Sequence, residues 1–238
     1  MSEDRHWIAQ RADELREDLV RWRRHLHMHP EPSMQEHQTA GFVVERLREI
    51  GIEDIEEGVG ETGVVAIVRG QGERCVALRA DMDALELAEA TGAEYASVNE
   101  GVMHACGHDA HTAALLGAAA ILRGMGDGLP GIVKLIFQPG EEGAAGALRM
   151  IEDGCLRDPA PEAIFAMHVR PDLEQGRVGV TTGFTTAQSD SVNMTIVGEA
   201  SHAARPHQGA DAISLAAQAV IAEVRPGASR NPTLREAS

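Results

Sequence analysis

Apolar residues near the start of the chain recur at steps of four and three. Ile8, Ala12, Leu15, Leu19, Trp22 and Leu26 share one face of a helix expected over 7–27. His29-Pro30-Glu31-Pro32 ends it. Ser33 followed by Glu36 has capping-box spacing and opens a second helix through Val43, Val44, Leu47 and Ile50. Gly51 stands where a helix-terminating glycine belongs. The period then shortens. Residues 64–68 and 75–78 are apolar runs around Gly70-Gln71-Gly72, which reads as a β-hairpin. Residues 109–123 are Ala- and Leu-rich and helical, and 132–137 form a buried strand stopped by Pro139-Gly140. A short helix near 144–153 leads to a strand over 163–169. Strands alternating with helices predict an α/β sheet.

Beyond Gly183 the pattern changes. Val192, Met194 and Ile196 alternate with polar residues as in a half-exposed strand, 198–207 is a small-residue loop, and 209–224 is a further helix. A domain boundary is therefore expected near 182, giving domains 1–182 and 183–238.

Composition narrows the picture. Aromatics are only 3% of the 238 residues, against 43% hydrophobic residues overall, so Ala, Val, Leu and Ile must build the core. A formal charge of −16 argues against nucleic acid as a partner. No apolar run reaches the roughly 18–20 residues that a membrane helix needs. The N-terminus lacks the basic-then-apolar order of a signal peptide. Cys75, Cys106 and Cys155 are too few and too scattered for a disulfide framework. These readings point to the cytoplasm.

Several metal-capable groups fall at expected strand ends, the edge where open α/β sheets bind ligands. Cys106 and His108 flank a single glycine, and Glu142 and His168 follow later strands. Thiolate, imidazole and carboxylate together suit zinc or a similar transition metal. Glu141 and Glu142, read as adjacent strand-end residues, would point in opposite directions, one to a metal and one to a water as general base. Asp81 and Asp83 could accept the free N–H of a ligating histidine. Each group also has a bland role. A buried cysteine is usually a small hydrophobe, and Glu-Glu is usually a solvated loop. His168 could be a core histidine. His25, His27 and His29 could complement a helix dipole. His202 and His207 could be ordinary loop residues.

Taken together the motifs are more specific. In order they are Arg24-His-Leu-His-Met-His-Pro-Glu31, Arg79-Ala-Asp-Met-Asp-Ala-Leu85, His104-Ala-Cys-Gly-His-Asp-Ala-His111, Phe137-Gln-Pro-Gly-Glu-Glu-Gly143, Ala166-Met-His168 and Ser201-His-Ala-Ala-Arg-Pro-His207. The set resembles the amidohydrolase branch of the aminoacylase/carboxypeptidase metallopeptidases, which includes hippurate hydrolases, N-acyl-amino-acid amidohydrolases and auxin-conjugate hydrolases.

The resemblance implies an aminopeptidase-like α/β catalytic domain with an inserted α+β lid, here incomplete. It implies Cys106, His108, Glu142 and His168 as ligands of two divalent metals (zinc, manganese, cobalt or nickel), Glu141 as general base, and His202 as a lid histidine assisting the oxyanion. The implied substrate is a small N-acyl amino acid or conjugate. The implied assembly is a homodimer through the lid. Glu86 departs from the proline usual after Asp-Ala-Leu. The family's further ligand histidine has no counterpart here, so the chain reads as C-terminally truncated. A non-catalytic metal-binding or dimerising homologue is the alternative.

Overall fold

A computed structural model of the chain describes residues 3–183 and 193–223. They belong to two compact units, Met1–Pro171 and Asp172–Ser238.

In the first unit, the helix expected over 7–27 is two helices, α1 (Glu3–Glu14) and α2 (Arg16–Met28). Backbone hydrogen bonds continue across the break, from Leu15 N–H to Arg11 O at 3.1 Å and from Leu19 N–H to Leu15 O at 2.9 Å. Only Leu15, Trp22 and Leu26 of the expected stripe are fully buried. Helix α3 (His37–Ile50) ends on Gly51 at φ 89°, a left-handed conformation that suits glycine. Its start corrects the capping box. Ser33 Oγ donates to Asp83 Oδ2 at 2.6 Å instead, and Glu36 is drawn inward to partners far along the chain.

The sheet contains β1 (Ile55–Val59), β2 (Gly63–Arg69), β3 (Cys75–Asp81), β4 (Ile132–Gln138) and β5 (Ile164–Ala166), in the order β1-β2-β4-β3-β5. The expected hairpin between residues 64–68 and 75–78 is not formed. Strand β4 lies between them, antiparallel to β2 and parallel to β3. Its run from Val133 to Phe137 is buried throughout, so the position with two paired edges and two covered faces suits it best. The Gly70–Gly72 turn packs against the approach to β4, with Gly70 N–H donating to Gly131 O at 2.8 Å. A Cβ on Gly70 would fall 2.0 Å from Leu129 O. Edge strand β1 was not anticipated, because Ile55-Glu-Glu-Gly-Val carries almost no apolar alternation.

Alternation within the strands sorts the core into two faces. Val64, Ala66 and Val68 of β2, Ala80 of β3, and Val133, Leu135 and Phe137 of β4 meet α2, α3 and helix α4 (His108–Met125) on one face. Burial of each Val, Leu or Phe side chain stabilises by roughly 1.5–3 kcal/mol, and of each alanine by less. The other face is smaller: Val65, Ala77 and Ile136 pack with Met150 of α5 (Gly146–Glu152) and Cys155. Helices α2 and α4 approach closely at Gly117, where a Cβ would fall 2.6 Å from Leu19 Cδ2.

Strands β3, β4 and β5 are mutually parallel, so their C-terminal ends share one edge of the sheet. The N-terminus of α4 joins that edge, because Asp81 O at the end of β3 accepts a hydrogen bond from Thr112 Oγ1 at 2.9 Å.

In the second unit, helix α6 (Ala212–Glu223) begins where Asp211 accepts from Ile213 N–H at 3.0 Å and Ser214 Oγ at 2.6 Å. Glu199 and Ala210 exchange two backbone hydrogen bonds. The strand expected through Met194 and Ile196 is not formed among the described residues, and Val192 lies outside them. Among the described residues, no helix is long and apolar enough to cross a membrane.

Candidate metal centre

The loop before α4 turns at Gly107, with φ 91°. A Cβ there would fall 2.4 Å from Val169 Cγ2, so glycine lets the Cys106 loop press against the segment leaving β5. That approach sets Cys106 Sγ 3.3 Å from His168 Nε2. His168 lies two residues past β5 and is exposed. Its Nδ1 donates to Val169 O at 2.7 Å, leaving Nε2 with the free lone pair.

His108 opens α4 and is buried. Its Nδ1 faces Asp83 O at 2.9 Å and Asp83 Oδ1 at 3.2 Å. The opposite nitrogen, Nε2, is buried without a hydrogen-bond partner. It lies 3.7 Å from Asp81 Oδ2 and 3.8 Å from Glu142 Oε1. An imidazole held by one nitrogen, with the other aimed into a group of carboxylates, is the usual setting of a metal ligand. Burial opposes the imidazolium, but Asp83, Asp81 and Glu142 together hold the His108 pKa above its ordinary value.

Glu141 and Glu142 sit in a turn after Pro139-Gly140, not at opposed positions on a strand. Both carboxylates reach the same place: oxygens of each and a His108 nitrogen lie within 4.8 Å of one another. Cys106, His108 and His168 satisfy the same limit. The expected ligands therefore cluster together with Glu141. The Cys106 thiol is pushed up to about 12, first by burial and then by Glu142 and Glu141. A thiol beside two carboxylates ionises readily only when a cation joins them, so this donor set fits a divalent metal.

Asp81 and Asp83 divide the supporting work. Asp83 faces His108, and its Oδ2 also accepts from Ser33 Oγ at 2.6 Å and from Glu142 N–H at 3.0 Å. Asp81 instead accepts from His111 Nδ1 at 2.6 Å and from Arg79 at 2.7 Å. Burial works against the Asp81 charge, but His111 and Arg79 outweigh it and lower the pKa to about 2. The motif reading gives His111 no role of its own. Its Nε2 accepts from Val169 N–H at 2.9 Å, so both ring nitrogens are occupied and its tautomer is set. It ties β3 to the segment that carries His168. The available signal was its spacing: three residues after His108 on one helix, it had to face the same way.

Behind the centre lies a second buried network. His27 Nδ1 faces Asp109 Oδ2 at 2.8 Å, its Nε2 faces Glu89 Oε1 at 3.2 Å, and Arg23 reaches Asp109 at 2.7 Å. His104 stands 6.5 Å from His27, ring to ring, and both its nitrogens are buried without a partner. Burial lowers its pKa to about 4. His202 belongs to the second unit, where its Nδ1 accepts from Ala204 N–H at 3.2 Å.

Residues 77–236 match the model of peptidase family M20/M25/M40. The chain is 46% identical over 209 residues to the N-acetyl-L-cysteine deacetylase of Bacillus subtilis, covering 87% of this chain and 50% of the relative. It is 41% identical over 214 residues to the N-acyl-L-amino acid amidohydrolase of Geobacillus stearothermophilus, covering 90% and 57%. Among solved structures, it is similar to a dinuclear metal-binding peptidase of the M20 family from Bacillus subtilis. That match has a TM-score of 0.67 and 43% identity over 71% of this chain and 47% of the other. The chain thus spans about half the length of the curated relatives it matches. With the ordered motifs and the clustered donors, the family match leads to one conclusion: this chain belongs to peptidase family M20/M25/M40.

Proposed function

We propose that the protein hydrolyses the amide bond of N-acyl amino acids or related conjugates with the help of two divalent metals. The observation that carries this reading is the unpartnered, buried Nε2 of His108, facing the carboxylates at the edge where Cys106 and His168 also meet. The names of the relatives support the substrate class, and the dinuclear relative supports two metals. Cys106, His108, Glu142 and His168 would hold the ions, with zinc, manganese, cobalt and nickel all compatible with such donors. When bound, the ions acidify a water and polarise the amide carbonyl. Glu141 accepts the water's proton and delivers it to the departing amine. Asp83 keeps His108 in the tautomer that leaves Nε2 free.

The domain division near 182, which rests on the change of pattern beyond Gly183, belongs to the same proposal, as do the role of His202 in steadying the oxyanion and a homodimer through the lid, which rest on the motif resemblance.

The test is amine release from N-acetyl- and N-benzoyl-amino acids by the purified chain with stoichiometric Zn²⁺ or Mn²⁺. Release supports the reading. Stoichiometric metal with no release rejects it for this chain and favours the non-catalytic, metal-binding alternative. Glu141→Gln should lower turnover by on the order of 10²–10⁴ and leave metal content unchanged. Loss of metal in that variant would mean that the roles of the two glutamates are reversed.

A further inference from the structure

Two carboxylates of the first unit, Glu31 at 8% and Glu36 at 0% exposure, are buried. Among the described residues, neither forms an ion pair. Both are stabilised by hydrogen-bond donors instead. The donors differ in kind. Glu31 accepts from Gln38 N–H at 3.1 Å, Thr39 N–H at 2.8 Å and Thr39 Oγ1 at 2.9 Å, all in the first turn of α3. Its side chain caps a helix.

Glu36 joins three separate segments. Oε1 accepts from Met34 N–H at 2.9 Å and from Gly140 N–H at 2.8 Å, and Oε2 accepts from Thr62 Oγ1 at 2.6 Å. Gly140 is the residue immediately before Glu141-Glu142. Met34 packs closely on it: a Cβ there would fall 2.6 Å from Met34 Sδ, and its φ is 56°. Two residues on, Glu142 N–H donates to Asp83. The turn that carries both glutamates is thus fastened at each end to a buried carboxylate.

We propose that Glu36 is a positioning residue for the metal centre, its buried carboxylate holding Gly140 N–H so that Glu141 and Glu142 are presented towards His108. This rests on the metal-centre reading above. Glu36 touches no ligand itself and acts through the Gly140 backbone. The length of the side chain matters more than its charge. A glutamine keeps one oxygen for the two N–H groups and turns its amide towards the Thr62 hydroxyl, which can accept as well as donate. An aspartate keeps the charge but falls one methylene short.

The experiment compares Glu36→Asp, Glu36→Gln and Glu31→Asp in the full chain with two readouts. The first is Co²⁺ affinity and the Co²⁺ visible spectrum. The second is hydrogen exchange, in the metal-free protein, of a peptide spanning residues 139–145. Glu36→Asp should bind Co²⁺ about tenfold more weakly, with shifted bands, and should speed exchange of that peptide. Glu36→Gln should stay close to wild type in both. Glu31→Asp should lower thermal stability and leave both unchanged. The proposal is overturned if folded Glu36→Asp keeps wild-type exchange and spectrum, or if Glu31→Asp changes them equally. If wild type itself binds no Co²⁺, the metal reading fails, and the exchange data alone decide whether Glu36 holds the turn.

Discussion

Asp81, Asp83, His108 and His111 are each at most 2% exposed and are joined by side-chain hydrogen bonds. Cys106, Glu141, Glu142 and His168 face the same place from turns and strand ends that are open to solvent. The inner group is satisfied by hydrogen bonds apart from the one nitrogen of His108. The outer group brings a thiol and two carboxylates together, and burial and then those carboxylates push the thiol up to about 12. Stability and ion affinity are therefore expected to be separable in this centre. On the proposed function, Asp81, Asp83 and His111 would serve the fold, the outer group would serve the ion, and His108 would belong to both.

The sharpest way to break this division is Asp83→Ala. It removes the acceptor shared by His108, Ser33 and Glu142 N–H. Urea denaturation of the metal-free protein should show a loss of about 3 kcal/mol. A loss below about 1 kcal/mol would mean that the inner group is not structural.

A smaller effect is expected from Asp81→Asn, and it carries a pH signature. Asp81 titrates at about 2 in the folded protein, below the ordinary aspartate value. Its contribution, of order 2 kcal/mol, is therefore complete above the ordinary value and fades as pH falls from about 5 to about 2. Wild type should lose stability over that window more steeply than the asparagine variant. Parallel curves would remove Asp81 from the account.

The smallest stability effect is expected from Cys106→Ser. Metal-free stability should change by about 0.5 kcal/mol or less, while Zn²⁺ affinity measured by competition with a chelator falls by at least tenfold. If this variant were as unstable as Asp83→Ala, the outer group would be part of the fold after all.

How much of this could be read from the chain alone depended on the range of the interaction. The helices α3 and α4 and the buried strand β4 were legible because periodicity and glycine punctuation act locally. The donors Cys106, His108, Glu142 and His168 were legible as residue types in motifs, and they do converge. The hairpin failed because two apolar runs beside a glycine turn cannot reveal that a third run, 132–138, will separate them. Ser33 and Glu36 have capping-box spacing, yet each found a stronger partner: Asp83 for the serine, and Gly140 and Thr62 for the glutamate. The role of His111 is not legible in the sequence, because its partners, Asp81 and Val169, are 30 and 58 positions away.

By itself, then, the sequence determined the α/β class, the ordered donors and the family, because these depend on residue identity and short spacing. Tertiary structure decided which nitrogen of His108 is free, which aspartate holds it, and how the Glu141-Glu142 turn is fastened. Those choices are hydrogen bonds between residues 25 to 104 positions apart, made only once parallel strands bring their ends to one edge.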